Sequence, residues 1–172
     1  MIDLMRMKFR GAMVLLSVAV AGSGSLYGQS SASAINDMTR QADVVAVGRV
    51  TALTSEWNQD RTRIYTRATV SVDEYLKGDG QGPYLTIVTP GGEIDGVGEL
   101  YSHTPTFRQN EEVVVFVRND GTGRYRVNGG PQGKLIVTKD EATGKAVVSN
   151  YRTLEDFAGQ IRRAVKAHER GE

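Results

Sequence analysis

The sequence predicts a mainly β domain: a five-stranded Greek-key barrel with an extra hairpin, a short N-terminal helix and a C-terminal helix. Short runs rich in Val, Ile, Thr and Tyr recur along the chain, and clusters of Gly, Asn and Asp separate them. This spacing is typical of a β-sandwich or β-barrel. Gly48 lies inside the first long run, where a glycine marks a bulge or the bend of a barrel strand.

Residues 1–34 have the layout of a secretory signal peptide. An apolar run of eleven residues, 11–21, is followed by small polar residues. The basic start is carried by Arg6, Lys8 and Arg10. The apolar run is shorter than the about 20 residues that span a bilayer, so we expect no stable membrane insertion after cleavage. Cleavage after Gly28 and cleavage after Ala34 both suit the sequence, and either would leave a periplasmic or secreted chain.

The remaining residues, 35–172, suffice for a single domain with its own core. The whole chain holds 21 Lys and Arg and 20 Asp and Glu; segment 1–34 carries three of the basic and one of the acidic residues, which leaves 18 and 19, a net charge of −1. A near-neutral domain has no bulk attraction for nucleic acid. The sequence contains no cysteine, which excludes disulfides, thiol chemistry and Cys-bound zinc.

The first half of the chain predicts one helix and three strands. A weak helical pattern covers residues 35–42, and "DVVAVGRVTALTSEW", 43–57, forms the first strand. The second strand, 64–76, alternates like an antiparallel strand with one buried face. Its inward residues are Ile64, Thr66, Ala68, Val70 and Val72, and its outward residues are Arg63, Tyr65, Arg67, Thr69 and Ser71. The third strand is "YLTIVT", 84–89.

The second half predicts a central strand and two hairpins. "VVVFV", 113–117, is apolar on both faces and therefore central. The pair Asp120-Gly121 then predicts a hairpin turn, because it accepts positive φ. The returning strand "RYRV" is interrupted by "NGGPQG" and resumes as "KLIVT", 134–138. A further turn, "KDEATGK", leads into "AVVSN" and gives the extra hairpin.

The chain closes with a predicted helix near residues 153–168. Thr153 suits the N-cap, and Glu155 and Asp156 in the first turn complement the helix dipole. Five residues fall on one stripe of this helix, Leu154, Phe157, Ile161, Val165 and His168, and the first four are predicted to pack on the core, whereas His168 lies near the end of the helix. Many short strands, tight turns and a bent first strand indicate a small barrel of the OB type.

Four segments resemble, in their order, the netrin-like domains, the OB-fold domains of the tissue inhibitors of metalloproteinases and their relatives: "RQADVVAVGRVTAL", "ATVSVDEYLKG", "LTIVTP" and "NEEVVVFV". The resemblance covers about residues 35–168 and implies two terminal helices packed side by side. The chain also looks like exported bacterial domains of unknown function that share "PGG" and "QGK" elements, here at 90–92 and 132–134. The inhibitors bind protease zinc through an N-terminal cysteine. This chain has none, so the resemblance implies the fold and no functional residue.

The segment "TPGGEIDGVGEL", 89–100, contains four glycines and three acids. It lacks the lysine of a phosphate-binding loop. Glu93, Asp95 and Glu99 could offer oxygen ligands to calcium, but their spacing matches no EF-hand. We therefore expect a mobile, solvated connection that faces a partner, with no metal and no cofactor.

The sequence offers little for catalysis. Its two histidines are His103 and His168. Ser102 adjoins His103, but neighbours on an extended strand point to opposite faces, which does not suit a nucleophile and its base. We expect no catalytic residue. One alternative is a hydrolase that uses the acidic loop 93–99 and His103; another is a purely structural envelope protein.

Aromatic and basic residues near the second and third strands are the partner-binding candidates: Trp57, Arg63, Tyr65, Arg67, Tyr84 and Tyr101. OB barrels bind along these strands, and such residues anchor interfaces, although Trp57 and Phe107 could instead plug the barrel ends. With Arg124, Tyr125 and Arg126, the set would also suit single-stranded nucleic acid, but export and the net charge argue against that partner. We expect an exported, non-enzymatic module that binds an unknown protein or glycan, with a protein as the first expectation.

Overall fold

The computed structural model describes residues 26–79, 82–148 and 152–171. Its elements, in chain order, are α1 (Leu26–Gln41), β1 (Val44–Trp57), β2 (Ile64–Lys77), β3 (Tyr84–Pro90), β4 (Gly92–Ile94), β5 (Val97–Glu99), β6 (Glu112–Asn119), β7 (Tyr125–Val127), a short 3-10 turn (Gly130–Gly133), β8 (Lys134–Lys139), β9 (Ala146–Val148), β10 (Arg152–Thr153) and α2 (Leu154–Glu169). Across these ranges, no helix has both the length and the apolar composition needed to cross a bilayer.

Five strands close into a barrel. Their order is β1-β2-β3-β7-β6, and β6 pairs back onto β1. The pairs are antiparallel except at the β3–β7 seam, where Ile87 and Tyr125 form a parallel bridge. This mainly β, Greek-key arrangement of the OB type, with a helix at each end of the described chain, confirms the predicted fold class.

The bend of β1 lies at the predicted glycine. The register between β1 and β2 shifts at Gly48, and a Cβ atom there would lie 2.2 Å from the carbonyl oxygen of Ser71. A larger residue would therefore push β2 away, and the barrel could not close at this point. The glycine allows the close approach that a strongly bent strand requires.

The predicted interruption of the returning strand is also confirmed. β7 and β8 pair with the same edge of β6, β7 at its C-terminal end and β8 at its N-terminal end. The 3-10 turn Gly130–Gly133 separates them. Beyond it, β8 continues the sheet outside the barrel through β9 and β10, and this extension carries the extra hairpin.

The central strand β6 faces two apolar cores, because its side chains alternate across the sheet. Its odd-numbered residues enter the barrel, whose core is formed by Val44, Ala46, Val50, Ala68, Val70, Leu85, Ile87, Phe107, Val113, Val115, Val117 and Tyr125. Its even-numbered residues enter a second core beneath the helices, formed by Ala42, Val45, Val47, Leu76, Val114, Phe116, Val137, Val148, Phe157, Ala158 and Ile161. Phe107 is thus the barrel plug that the sequence allowed.

The C-terminal helix starts where the sequence predicts, because Thr153 Oγ1 accepts a hydrogen bond from Asp156 N at 3.1 Å. Phe157 and Ile161 are buried, and Leu154 and Val165 pack at the edge of the helix-side core. His168, near the C-terminal end of the helix, is exposed.

The N-terminal helix is longer than predicted. It begins at Leu26, not at residue 35, and so includes part of the segment assigned to the signal peptide. Part of this extension contacts α2, because Gln160 Nε2 donates to Ala32 O at 3.1 Å as well as to Asn36 Oδ1 at 3.0 Å. Residues 1–25 of the predicted signal peptide lie outside the described residues.

Candidate functional site

The glycine-rich segment after β3 is a β-hairpin, where the sequence predicts an irregular mobile connection. β4 and β5 pair from Gly92–Glu99 to Ile94–Val97. Asp95 and Gly96 form the turn with φ values of 50° and 78°, the positive values that a two-residue hairpin loop favours. The aspartate-glycine signal was thus present in the sequence, but the strands beside it have three residues each and are too short for alternation to reveal.

The hairpin is fixed to the first residue of β2 through Glu99. Its Oε2 accepts hydrogen bonds from Ile64 N at 3.1 Å and from Tyr101 Oη at 2.9 Å. Arg63 Nη1 donates to Tyr101 Oη at 2.5 Å, and this contact with Tyr101 raises the pKa of Arg63 above its ordinary value. Two of the predicted partner-binding residues, Arg63 and Tyr101, therefore hold the hairpin in place.

A cleft of about 420 Å³ lies between the β1–β2 turn and the β6–β7 turn, and we call it the turn cleft. Its walls include Glu56, Trp57, Asp60, Tyr65, Val88, Asp120, Arg124 and Arg126. β2 and β3 form its floor, so strands distant in sequence bring aromatic, apolar and charged side chains together. Its volume lies within the range of small-ligand sites and side-chain pockets.

A second cleft, of about 240 Å³, continues from the turn cleft along the β3–β7 seam, and we call it the seam cleft. Tyr65, Val88 and Arg126 line both clefts and join them into one groove. Pro90 and His103 lie at its far end. The seam cleft exists because β3 and β7 pair at Ile87–Tyr125 and continue beyond it without further pairing.

Ion pairs set the electrostatics of the turn cleft. Arg67 Nη2 donates to both carboxylate oxygens of Glu56, at 2.7 and 2.9 Å. Arg124 Nε lies 3.4 Å from Asp120 Oδ2. Hydrogen bonds from the Thr122 hydroxyl and amide lower the pKa of Asp120, so this carboxylate is ionised at neutral pH. The walls therefore carry both signs of charge.

The predicted partner-binding residues separate into three groups. Trp57 and Tyr65 line the turn cleft together, and Arg67 orients Glu56 in its wall. Arg63 and Tyr101 belong to the hairpin attachment. Tyr84 is 58% exposed at the start of β3 and lies outside the walls of both clefts.

Val88, Arg118 and Arg126 are not among the protein-binding residues that the sequence predicts. Alternation along β3 and β7 could have identified Val88 and Arg126 as outward residues. Their proximity to Tyr65 could not be read from the chain, because it depends on the parallel closure between β3 and β7.

The residues proposed for calcium are spread over the hairpin. Glu93 pairs with Gly98 and Glu99 pairs with Gly92, so the two carboxylates lie on opposite faces of the two strands. Within the described ranges, no three His, Asp or Glu side chains gather into a group that could hold a metal ion. His103, the residue of the hydrolase alternative, is exposed in the seam cleft beside Tyr65 and Arg126.

Neither a comparison with models of known protein families nor a search of curated proteins finds a significant match for this chain.

Proposed function

We propose that this chain is an exported, non-enzymatic binding module of the netrin-like type, and that it binds a segment of a partner protein in the turn cleft. One observation carries the proposal: Trp57, Tyr65 and Arg126, from three different strands or turns, line a single cleft. OB barrels bind their ligands on this face, between these two turns. Tryptophan, tyrosine and arginine are also the residues that contribute most often to the energy of protein interfaces.

The netrin-like assignment is supported by the combination of an OB-type barrel with α1 and α2 packed beside each other. The netrin-like resemblance implies the fold and no functional residue. The chain has no cysteine, so zinc chelation by an N-terminal cysteine is not part of the proposed activity. The turn cleft supplies a different surface, built from side chains and not from a chain terminus.

Export is supported by the sequence of the first 34 residues, with their basic start and apolar run. A secreted or periplasmic domain without disulfides depends on its apolar cores for stability. The two cores on either side of β6 meet that need. The proposed partner is accordingly a protein of the envelope or of the medium.

Site-directed photocrosslinking tests the proposal. A benzophenone side chain replaces Gln59, which is exposed on the rim of the turn cleft, and in a matched chain it replaces Lys166, which is exposed on α2. We expect the first chain to capture a defined protein from envelope or medium fractions, and the second not to do so. An excess of unlabelled wild-type chain should suppress the capture, whereas the Trp57→Ala chain should not.

Equal capture from both positions, or equal competition by Trp57→Ala, would contradict the proposed site. The fold of each variant is checked by circular dichroism, so that loss of competition reports the cleft and not unfolding. If the captured protein is cleaved, and His103→Ala abolishes the cleavage, the hydrolase alternative would replace the binding module.

A further inference from the structure

Four side chains form a row across the outer face of the barrel, and we call it the arginine row. Arg67 of β2 pairs with Val88 of β3. Val88 and Arg126 follow the parallel bridge between Ile87 and Tyr125, so they lie side by side. Arg126 of β7 is directly opposite Arg118 of β6. Three of the four positions across adjacent strands are thus arginines.

The first arginine of the row is neutralised, and the other two are not. Arg67 holds Glu56 in an ion pair. For Arg118 and Arg126, no carboxylate oxygen of the described ranges lies within 4.0 Å of the guanidinium, and neither side chain hydrogen bonds there. The nearby Asp43 directs its Oδ2 to the backbone amide of Asn119 at 2.8 Å. Two exposed positive charges therefore face each other across one strand pair.

Such a pair is unfavourable in the isolated domain. Like charges directly opposite each other in a sheet are destabilising, and an arginine cannot relieve the repulsion by losing its proton. An anion that binds between the two guanidinium groups would convert this repulsion into attraction. A carboxylate is well suited, because the planar arginine fork can donate two parallel N–H hydrogen bonds to its two oxygens.

The residues around Arg126 indicate which chemical groups the partner would carry besides an anion. Arg126 lines both clefts, next to Tyr65 and Val88, so an anion bound to it would lie beside an apolar and aromatic wall. The turn cleft also contains Asp60 and the ionised Asp120. A uniform polyanion, such as a nucleic acid or a sulfated glycan, would bring negative charge against these acids. A protein segment can place an acidic residue in one position and a neutral or basic residue in the next.

We propose that the partner segment is acidic: an Asp or Glu of the partner binds between Arg118 and Arg126, and a neighbouring apolar side chain enters the groove at Tyr65 and Val88. This inference rests on the proposed function, and it adds the chemistry of the partner to the location of the cleft. It predicts that binding weakens as salt screens the charges.

The test uses a displayed library of random peptides selected on the purified protein. We expect enrichment of sequences that combine Asp or Glu with an aromatic or aliphatic residue. A selected peptide is then labelled, and its affinity is measured by fluorescence anisotropy. Arg118→Ala and Arg126→Ala should each lower the affinity by about tenfold or more, since each removes a charged hydrogen bond. Arg163→Ala, an exposed arginine on α2, is the matched control and should leave the affinity unchanged.

Arg118→Glu provides a second measurement that does not depend on a peptide. A glutamate opposite Arg126 turns the repulsive pair into an attractive one, so the melting temperature should rise. The same change should abolish binding of the selected acidic peptide. A fall in melting temperature for the correctly folded variant would contradict the repulsion on which the inference depends.

The outcomes separate the two proposals. Peptides that require Trp57 but lack acidic residues, or that bind the arginine variants equally well, would overturn the acidic partner and leave the binding module in place. Selected peptides whose affinity does not change in Trp57→Ala would contradict the turn cleft as the binding site. Tighter arginine-dependent binding of heparin or of a thymidine oligonucleotide than of any selected peptide would overturn the choice of a protein segment.

Discussion

Phe116 of β6 and Phe157 of α2 pack edge to face, with ring centroids 6.4 Å apart and ring planes at 87°. This contact joins the outer face of the barrel to the C-terminal helix. Both rings are buried, at 0% and 3% exposure. The guanidinium of Arg152 lies 5.9 Å from the centre of the Phe157 ring and donates a hydrogen bond to Gln160. Arg152 therefore connects the Phe157 ring to Gln160, the residue of α2 that binds α1.

Phe157→Ala should lower the free energy of unfolding by about 3–5 kcal/mol, the usual cost of removing a buried aromatic ring. Urea unfolding followed by circular dichroism measures the change. Lys166→Ala on the exposed face of α2 is the control, and it should change the free energy by less than about 0.5 kcal/mol. Similar small effects for both variants would show that α2 does not pack on the barrel.

Gly92→Ala should destabilise the barrel end that the hairpin covers. Gly92 has a φ of 142°, and a Cβ atom would lie 2.5 Å from Thr66 Oγ1 and 2.6 Å from Ser55 Oγ. Forcing an extra methyl group into such a site costs about 1–3 kcal/mol. Gly98→Ala is the matched control within the same hairpin, because its nearest neighbour, the carbonyl oxygen of Gly92, is 3.9 Å away. Equal melting temperatures for the two variants would refute this packing.

The ion pair between Lys134 and Glu111 should contribute far more than the surface pairs. Lys134 Nζ lies 2.5 Å from Glu111 Oε1, and the two side chains are 7% and 9% exposed. Glu111→Gln removes the counterion of this largely covered ammonium but leaves it the carbonyl oxygen of Thr106, so the cost should exceed the about 1 kcal/mol of a surface pair and stay below the about 3–5 kcal/mol of a fully buried one. Glu74→Gln breaks the exposed pair with Arg162 and should cost less than about 1 kcal/mol.

A double-mutant cycle checks that the loss belongs to the pair. Glu111→Gln, Lys134→Met and the combined variant are compared by urea unfolding. We expect the combined loss to be smaller than the two single losses together, because neither group is then left charged and buried alone. Additive losses would mean that the two groups act independently.

Stability at acid pH should depend on Asp140. The hydroxyl and amide of Thr143 donate to its Oδ1 at 2.6 and 2.8 Å, and these hydrogen bonds lower the pKa of Asp140 below its ordinary 3.8. Between the folded value and 3.8, the unfolded chain binds more protons than the folded chain. The contribution of Asp140 to the free energy of unfolding is therefore complete above pH 3.8, and it is lost as the pH falls through the pKa of Asp140 in the folded chain.

Asp140→Asn should flatten this acid limb of the stability curve, measured as melting temperature against pH. Glu141→Gln, at a neighbouring exposed carboxylate, is the control. An unchanged acid limb in Asp140→Asn would contradict the assignment.

If the chain is exported as proposed, cleavage is expected after Gly28 and not after Ala34. The carbonyl of Ala32 accepts a hydrogen bond from Gln160, whose side chain lies at the buried α1–α2 contact. Cleavage after Ala34 would remove that acceptor. The intact mass of the periplasmic protein, after expression of the full chain in a bacterium with two membranes, measures the mature N-terminus. A mass that corresponds to a chain starting at Ile35 would contradict the expectation. Charge reversal of Arg6, Lys8 and Arg10 removes the basic start of the signal peptide and provides an uncleaved control.

The sequence by itself determined the elements whose local pattern is long enough to define a period. β2 alternates from Ile64 to Val72, β6 is apolar on both faces, and α2 combines an N-cap with a repeating apolar stripe. Gly48 marked the bend of β1 because a strand glycine has few other uses. In these segments, the residue that is buried and the residue that is exposed follow from neighbouring positions in the chain.

Tertiary structure decided the rest, because those features depend on contacts between residues far apart in sequence. Ala32 of α1 accepts a hydrogen bond from Gln160 of α2, and the β4–β5 hairpin is held by hydrogen bonds of Glu99 with Ile64 and Tyr101. The groove and the arginine row exist because one parallel bridge, between Ile87 and Tyr125, brings β7 beside β3. The pattern of residues along the chain does not predict this pairing. The pairing is stabilised by closure of the barrel around a shared apolar core, to which residues far apart in sequence contribute.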